Sequence, residues 1–310
     1  MDENVIETHA LTKRYGSLLA VDSLSIQVPR GGVFGLLGPN GSGKTTTMSM
    51  PLGLITPTSG TFRLLGHNTV KGHLEALRHV GTLVESPALY SYLSGRDNLR
   101  YFQGISGGGD SKETDRLLEL VGLAERGQSP FSTYSQGMKQ RLGIACALVG
   151  DPTLLTLDEP TNGLDPAGMA EVRELIRRLG AEGHTVLLSS HLLHEVEQVC
   201  DNIAILSRGR LIAQGAIRDL LHQRGAIRLS TTDNAKAATI ISALPWVAGV
   251  TTDNGYLVAE APPDRSWELT AALSDQGVAV KEMAPVQVSL ERYFLEVTGH
   301  DGDSTRGETS

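Results

Sequence analysis

The chain has 310 residues, and its 35 acidic side chains against 27 basic ones give a formal net charge of −8. This length exceeds that of most single domains and predicts two domains, each with a buried core. The sequence contains no lysine- or arginine-rich run that would attract a polyanion. We therefore expect no nucleic-acid partner.

The ends of the chain and its two cysteines indicate a cellular location. Residues 1–10 lack the basic flank and apolar core of a signal peptide, and no apolar run approaches the roughly 20 residues that span a bilayer. Cys146 and Cys200 lie far apart in apolar surroundings, which predicts buried free thiols and neither a metal site nor a disulfide. We therefore expect a cytoplasmic protein in which any membrane role requires a partner.

The first elements lead into a glycine-rich loop. Residues 5–11 and 24–28 predict two strands, and alternation of apolar residues in the second indicates a half-buried antiparallel strand. An apolar run at 33–37 then precedes Gly-Pro-Asn-Gly-Ser-Gly-Lys-Thr-Thr at 38–46, which we call the phosphate loop. Glycines let the backbone amides converge on a phosphate without interference from a Cβ atom.

The side chains of the phosphate loop suit a triphosphate and its metal. Lys44 is expected to reach the β- and γ-phosphates, Thr45 to bind Mg²⁺ and Thr46 to donate at the α-phosphate. The full set assigned to nucleotide binding is Gly38, Asn40, Gly41, Ser42, Gly43, Lys44, Thr45 and Thr46.

Pro51 conflicts with the helix that begins at Lys44. Proline removes a backbone donor and crowds the preceding turn, at a cost of roughly 3 kcal/mol inside a helix. We expect the helix to end or kink near Met50, one or two turns beyond the phosphate loop.

Further apolar runs at 154–157 and 185–189 each follow a helical segment, which is the arrangement of a parallel α/β sheet. Between the phosphate loop and these runs, residues 86–150 predict a helical lobe. Within this lobe residues 94–97 read as a capping box and residues 115–121 as amphipathic.

Two carboxylates follow the apolar run at 154–157. Asp158 and Glu159 end this predicted strand, so they are expected at the edge of the sheet beside the phosphate loop. We expect Asp158 to hold Mg²⁺ through water and Glu159 to polarise the attacking water as general base, because phosphoryl transfer depends mainly on alignment.

Residues 134–141 open another helix, whose N-terminus predicts a second anion site. The apolar residues expected to share one face of this helix are Met138, Leu142, Ala145, Cys146 and Val149.

The pattern changes near residue 225. Strands are predicted at 226–230, 256–260 and 278–283, and helices at 235–244, 267–276 and 289–297, which together indicate a small α+β domain. The predicted organisation is a nucleotide-binding domain at 1–222, an α+β domain at 223–299 and a disordered tail at 300–310.

In this order, the motifs resemble those of the ATP-binding subunits of ABC transporters. The resemblance implies an α/β P-loop NTPase fold of ABC type, with an antiparallel β subdomain and a helical lobe, plus the small C-terminal α+β domain. It also implies ATP and Mg²⁺ as ligands, hydrolysis of ATP, and a dimer in which two copies enclose two ATP molecules.

The segment at 134–137 resembles the family's signature, which completes the nucleotide site of the opposite subunit. Ser135 and Gly137 are retained and are expected to face the γ-phosphate, with Gln136 between them. Tyr134 stands where leucine is usual and Gln136 where glycine is usual. Gln136 puts in doubt how closely the backbone approaches the nucleotide, more than it does the contacts of Ser135 and Gly137 with the γ-phosphate.

Three more residues take roles from the resemblance. Tyr15 matches the aromatic residue that stacks on adenine, Asp165 the acid of the loop that couples the two sites, and His191 the switch histidine at the γ-phosphate. A solvated turn remains the alternative for Asp165. His184 and His194 lack such a placement and are interpreted as structural.

Glu85 stands where most of the family has glutamine, in the loop that senses Mg²⁺ and touches the permease. This glutamate is similar to that of the bacitracin- and lantibiotic-immunity branch, and we include it among the expected metal ligands. An exposed loop carboxylate without a catalytic part is the alternative. The segment at 289–299 also resembles the closing helix of drug- and antibiotic-exporting subunits, and its apolar stripe favours core packing over a dimer contact.

We therefore interpret the chain as an ATPase subunit that powers a separate membrane permease from the cytoplasmic side. The expected role is export of, or immunity to, a peptide antibiotic or similar drug. A second ATP-binding subunit, most simply a second copy, is the expected partner. The alternatives are an importer subunit, or a soluble ABC ATPase acting on ribosomes or DNA.

Overall fold

The computed structural model describes residues 3–68, 72–84, 86–108, 110–222, 225–286 and 289–299. The chain divides into two compact units between Gln214 and Gly215, whereas the sequence placed the boundary after residue 222. Each unit has a hydrophobic core of its own.

The strands up to residue 216 are β1 (Asn4–Tyr15), β2 (Leu18–Leu24), β3 (Gln27–Pro29), β4 (Gly32–Leu37), β5 (Ser59–Leu64), β6 (His67–Asn68), β7 (Val80–Leu83), β8 (Leu154–Asp158), β9 (Thr185–Ser190), β10 (Asn202–Ser207) and β11 (Arg210–Ala216). The α-helices of the first unit are α1 (Lys44–Ser49), α2 (His73–Leu77), α3 (Gly95–Ile105), α4 (Ser111–Leu120), α5 (Gln136–Ala147), α6 (Pro166–Ala181) and α7 (Leu193–Val199).

The antiparallel sheet has the order β2-β1-β5-β6, with β3 also paired to β1. The prediction of one strand over 24–28 is wrong, because β2 ends at Leu24 and β3 begins at Gln27. Between them the Thr8 hydroxyl donates to the Leu24 carbonyl and accepts from the Ile26 amide, both at 2.9 Å. The Thr8 amide also donates to the Ile26 carbonyl at 2.9 Å, so the side chain and the backbone of one β1 residue together bridge the break between β2 and β3.

The second sheet has the order β11-β10-β4-β9-β8-β7, and β10, β4, β9, β8 and β7 run parallel. This arrangement confirms the predicted α/β sheet. Its register pairs Leu37 with Ser190 and Asp158 with Ser189, so the ends of β4, β8 and β9 meet at one edge. The phosphate loop, Glu159 and His191 follow these strand ends, and Asp158 is the last residue of β8.

The two sheets share one core. Val5 and Leu64 of the antiparallel sheet belong to the same buried cluster as Phe34, Leu154 and Leu206 of the parallel sheet. Burial of apolar surface between the sheets holds the phosphate loop against the antiparallel strands.

Pro51 ends the phosphate-loop helix as predicted. The helix α1 stops at Ser49, and its last capping bond runs from the Met50 amide to the Thr46 carbonyl at 3.2 Å. The His73 imidazole then donates through Nε2 to the Pro51 carbonyl at 2.8 Å.

The predicted capping box of the helical lobe is confirmed at α3. The Ser94 hydroxyl accepts from the Asp97 amide at 3.0 Å and donates to the Asp97 carboxylate at 2.6 Å. The helix α5 is buried on more than the one face that was predicted, since it packs against α3, α4, α6 and β7. Val149 of the predicted face lies beyond the end of α5 at Ala147.

The second unit contains α8 (Ile217–His222), β12 (Ala226–Thr231), α9 (Asn234–Ser242), β13 (Gly249–Asp253), β14 (Tyr256–Glu260), α10 (Ser266–Asp275), β15 (Val280–Val286) and α11 (Leu290–Gly299). Its antiparallel sheet has the order β13-β14-β12-β15 and buries one face under α9 and α10. This is the expected α+β fold.

Strand β13 was missed because it is only five residues long and three of them are exposed, so it shows no alternation of apolar and polar residues. A usable signal follows it, since Asn254-Gly255 is a favoured pair for a two-residue hairpin turn and both residues have positive φ. In α11, Leu290 and Tyr293 are buried, in agreement with a packing role for its apolar stripe. In the part of the chain that the structure describes, no helix has the length and apolar character of a membrane span.

Candidate functional site

The phosphate loop has a backbone that only glycine fits at two points. Gly38 has φ 154°, and a Cβ atom there would lie 2.3 Å from the Leu206 carbonyl oxygen. Gly43 has φ 100°, and its Cβ would lie 2.6 Å from the Ala20 carbonyl oxygen. The loop is therefore pressed against β2 and β10, and its open side is free for a ligand.

Polar atoms of the loop indicate what that ligand is. Lys44 is only 6% exposed, yet its ammonium donates to a loop carbonyl, that of Gly38, at 2.8 Å. The buried Ser42 hydroxyl has no hydrogen-bond partner among the described residues. A buried cation and an unpaired donor beside converging backbone amides fit an anion such as a polyphosphate.

Asp158 is the last residue of β8 and is 4% exposed. Its carboxylate accepts from the Thr45 hydroxyl at 2.9 Å and from the Ser189 hydroxyl at 2.5 Å. A hydroxyl and a carboxylate at the end of a phosphate loop are hard oxygen ligands of the kind Mg²⁺ prefers. Within the described residues, no cluster of three His, Cys, Asp or Glu side chains forms a separate metal site.

Glu159 follows in a strained conformation, with φ 47°. Such a left-handed backbone costs of order 1–3 kcal/mol and persists only where the surroundings hold it. The Glu159 amide donates to the Ser189 hydroxyl at 2.9 Å, so one serine orients both neighbouring acids.

The Glu159 carboxylate lies between a cation and an imidazole. Its Oε1 is 3.4 Å from the Lys44 ammonium, and its Oε2 is 2.8 Å from His191 Nδ1. Because a carboxylate only accepts hydrogen bonds, Nδ1 carries the proton of this pair. The structure thus joins Lys44, Glu159 and His191, which lie on three separate segments of the chain, in one chain of contacts.

A cleft of about 570 Å³ opens beside the phosphate loop, within the range of small-ligand sites. Tyr15 lies at this cleft, 46% exposed, with the Lys13 ammonium 4.9 Å from its ring centroid. The cleft is lined by Tyr15, Leu18, Leu19, Ala20, Asn40, Gly41, Gly43, Lys44, Thr45, Thr46, Glu159 and Arg208. Sequence reasoning missed Arg208, which comes from the turn between β10 and β11.

The signature residues Ser135, Gln136 and Gly137 do not line this cleft. Ser135 caps α5 by accepting from the Met138 amide at 3.2 Å, and Ser135 and Gln136 are exposed. The second predicted anion site is therefore separate from the phosphate loop of the same chain.

Asp165 lies at the start of α6, where its carboxylate accepts from the Gly168 amide at 3.1 Å. A Cβ atom on Gly137 would lie 3.5 Å from the Gly168 Cα, so α5 and α6 begin side by side. The structure groups Asp165 with the signature residues and gives its carboxylate a capping role.

Tyr134 is accommodated by a matching glycine. The phenol is buried and donates to the Arg126 carbonyl at 2.7 Å, and burial raises the pKa of Tyr134. A Cβ atom on Gly95 would lie 2.3 Å from the Tyr134 oxygen, so the large side chain depends on that glycine.

The remaining predicted residues lie apart from the cleft or outside the described residues. His184 Nδ1 lies 2.8 Å from the Pro152 carbonyl, and His194 Nε2 lies 2.9 Å from the Gln198 amide, contacts that suit structural histidines. Glu85 lies outside the described residues, so its expected metal role stays a prediction.

The sequence of this chain is similar to those of known proteins. Residues 21–162 match the family model described as ABC transporter. The bacitracin transport ATP-binding protein BcrA of Enterococcus faecalis is 38% identical over 303 residues, which cover 97% of this chain and 98% of that protein.

Two further similarities agree with this match. The daunorubicin resistance ATP-binding protein DrrA3 of Streptomyces coeruleorubidus is 36% identical over 310 residues, covering 97% of this chain and 98% of that protein. A solved structure of an ATP-binding subunit of an ABC transporter is 32% identical and superposes with a TM-score of 0.62, covering 71% of this chain and 92% of that one.

Proposed function

The chain belongs to the ATP-binding subunits of ABC transporters, which hydrolyse ATP to power a membrane permease, and we propose that its cargo is a peptide antibiotic or similar drug that is exported. The observation that carries this proposal is the extent of the similarity. Relatives named for bacitracin transport and daunorubicin resistance match over 97% of the chain, so the match includes the C-terminal unit as well as the ATPase core.

In this proposal the phosphate loop binds the triphosphate of ATP and Tyr15 stacks on its adenine. The Ser42 hydroxyl, which has no partner within the described part of the chain, and the buried Lys44 ammonium support phosphate binding. The exposed Tyr15 ring at the cleft supports stacking. Thr45 and Asp158 would hold Mg²⁺, whose charge offsets that of the phosphates when it is bound.

Glu159 is the proposed general base, and the contacts of its carboxylate suggest how it is controlled. In the described conformation Glu159 pairs with Lys44 and His191. A γ-phosphate would compete for the Lys44 ammonium and free one carboxylate oxygen to accept a proton from water. His191 would then keep the carboxylate oriented through Nδ1.

A second copy of the chain would complete each site. Ser135, Gln136 and Gly137 lie outside the cleft of their own chain, and Ser135 and Gln136 are exposed, which supports contact with ATP held by another subunit. The close approach of Gly137 to Gly168 would transmit this contact to Asp165. ATP binding would close such a pair and hydrolysis would reopen it.

The cycle is proposed to act at the cytoplasmic face of the membrane, where the helical lobe would engage the permease. The test is genetic and biochemical. A deletion strain that carries the neighbouring permease gene is complemented with the wild-type chain or with Lys44→Ala, and inhibitory concentrations of bacitracin and daunorubicin are measured.

Resistance restored by the wild type and not by Lys44→Ala, together with co-purification with an integral membrane protein, is the expected result. If the wild-type chain co-purifies with a membrane protein but does not change the sensitivity of the deletion strain to either drug, the proposed cargo is rejected. A role as an importer subunit would then remain. Sedimentation with ribosomes in place of membranes would overturn the transport role itself.

A further inference from the structure

Arg208 occupies a strained turn beside the phosphate loop. It lies between β10 and β11, and the turn residues Arg208 and Gly209 have φ values of 49° and 79°. Two-residue hairpin turns with two positive φ angles favour Asn-Gly, because a Cβ atom crowds the following carbonyl oxygen and the short amide side chain of asparagine offsets this through local hydrogen bonds. The turn therefore carries arginine where asparagine would fit the backbone better.

The turn is fixed to the nucleotide cleft by its own backbone. The Gly209 amide donates to the Ser42 carbonyl at 3.0 Å, and the Gly209 carbonyl accepts from the Asp22 amide at 2.8 Å. A Cβ atom on Gly209 would lie 2.8 Å from the Ala20 carbonyl oxygen. These contacts join the turn to the phosphate loop on one side and to β2 on the other.

These backbone contacts place Arg208 at the cleft, which it lines together with Lys44, Thr45 and Thr46. Among the described residues, its guanidinium forms no hydrogen bond or ion pair. The nearby acids are already engaged, since Glu159 contacts Lys44 and Asp22 accepts from Arg210 at 2.7 Å. Among the residues that the structure describes, the cleft thus contains an exposed cation, Arg208, without a counterion.

We propose that Arg208 is a nucleotide-binding residue whose guanidinium contacts a phosphate oxygen of bound ATP. The inference rests on ATP binding at the phosphate loop and adds a contact from outside its motifs. A guanidinium suits this role because its fixed fork of donors matches phosphate oxygens and its charge does not depend on pH.

The experiment measures equilibrium binding of ATP and ADP to the full chain by titration calorimetry without Mg²⁺, so that no turnover consumes the ligand. The variants are Arg208→Asn, which suits the turn and removes the charge, and Arg208→Lys, which keeps it. Arg63→Gln on β5 makes the same change in net charge at an exposed position outside the cleft. Each protein is also melted without nucleotide.

Arg208→Asn is expected to raise the Kd for both nucleotides about tenfold at low salt, as for loss of one charged hydrogen bond. The deficit should shrink at 0.3 M KCl, because salt screens an exposed charge. Arg208→Lys should recover most of the affinity, and Arg63→Gln should bind as the wild type does. The Tm of Arg208→Asn should equal or exceed that of the wild type.

Three results would overturn the proposal. They are wild-type affinity in Arg208→Asn, a deficit that salt does not reduce, and a Tm that falls together with the affinity, which would make Arg208 structural. If the wild-type chain itself fails to bind ATP, the assignment of the phosphate loop fails instead, so the two failures are distinguishable.

Discussion

The phosphate-loop end of the parallel sheet and the exposed face of the second unit's sheet both contain paired charged side chains, but those at the phosphate loop are buried and those on the second sheet are exposed. At the ATP end, Lys44 and Asp158 are almost fully buried, and each has more than one polar partner. On the exposed face, the Arg228 guanidinium lies 4.3 Å from the Tyr256 ring centroid and 3.2 Å from the Glu282 carboxylate. Burial strengthens the contacts of Lys44 and Asp158, because little water reaches them. The contacts of Arg228 are weaker, because water competes for exposed charges.

The backbone shows the same difference. Glu159 holds a left-handed conformation in a position set by its bond to Ser189, whereas the left-handed residues of the second sheet, Asn254 and Gly255, form a turn that suits them. The strained backbone at Glu159 lies at the proposed general base, whereas the turn at Asn254 and Gly255 has no proposed catalytic role. Three substitutions test this contrast, from the largest expected effect to the smallest.

Glu159→Gln should lower the rate of ATP hydrolysis by about 100- to 10,000-fold, the range for removal of a general base. ATP binding should persist, since the amide keeps the shape of the side chain, and closed dimers should accumulate. Steady-state phosphate release and size-exclusion chromatography with ATP are the measurements. Glu282→Gln, the same change on the exposed sheet, is the control. Near-normal hydrolysis by Glu159→Gln would reject Glu159 as the base.

Leu273→Ala should lower the free energy of unfolding of the second unit by about 2–5 kcal/mol, because this side chain is fully buried under the sheet. The chain's two tryptophans, Trp246 and Trp267, both lie in this unit, so urea unfolding followed by their fluorescence reports on it. Leu295→Ala, at an exposed position of α11, should change stability by less than about 0.5 kcal/mol. Equal effects of the two variants would contradict the assigned core.

Pro51→Leu should raise the Tm by about 3 °C, as expected for roughly 1 kcal/mol in a unit of this size. Leucine restores an amide that can bond to the Thr47 carbonyl and extend α1. Differential scanning calorimetry measures the change, and Pro57→Leu in the following loop should leave the Tm within about 1 °C. A lower Tm would show that proline is not a source of strain beside the ATP site.

Some features of the fold were predictable because they depend on few neighbouring residues. The glycines of the phosphate loop, the Ser94 capping box and the stop at Pro51 all follow from local backbone chemistry. Errors occurred where distant groups decided the outcome. Thr8 divides the predicted strand at 24–28, and several packing partners bury α5 on more than one side.

By itself the sequence determined the phosphate loop, the acids at the strand end and the order of the motifs, because these depend on residue type and short spacing. Only the tertiary structure decided that Glu159 contacts both Lys44 and His191 and that Arg208 lies at the cleft. It also separated Ser135 from the phosphate loop of its own chain. These relations depend on strand register and turn placement between segments that are far apart in the chain, which no local pattern specifies.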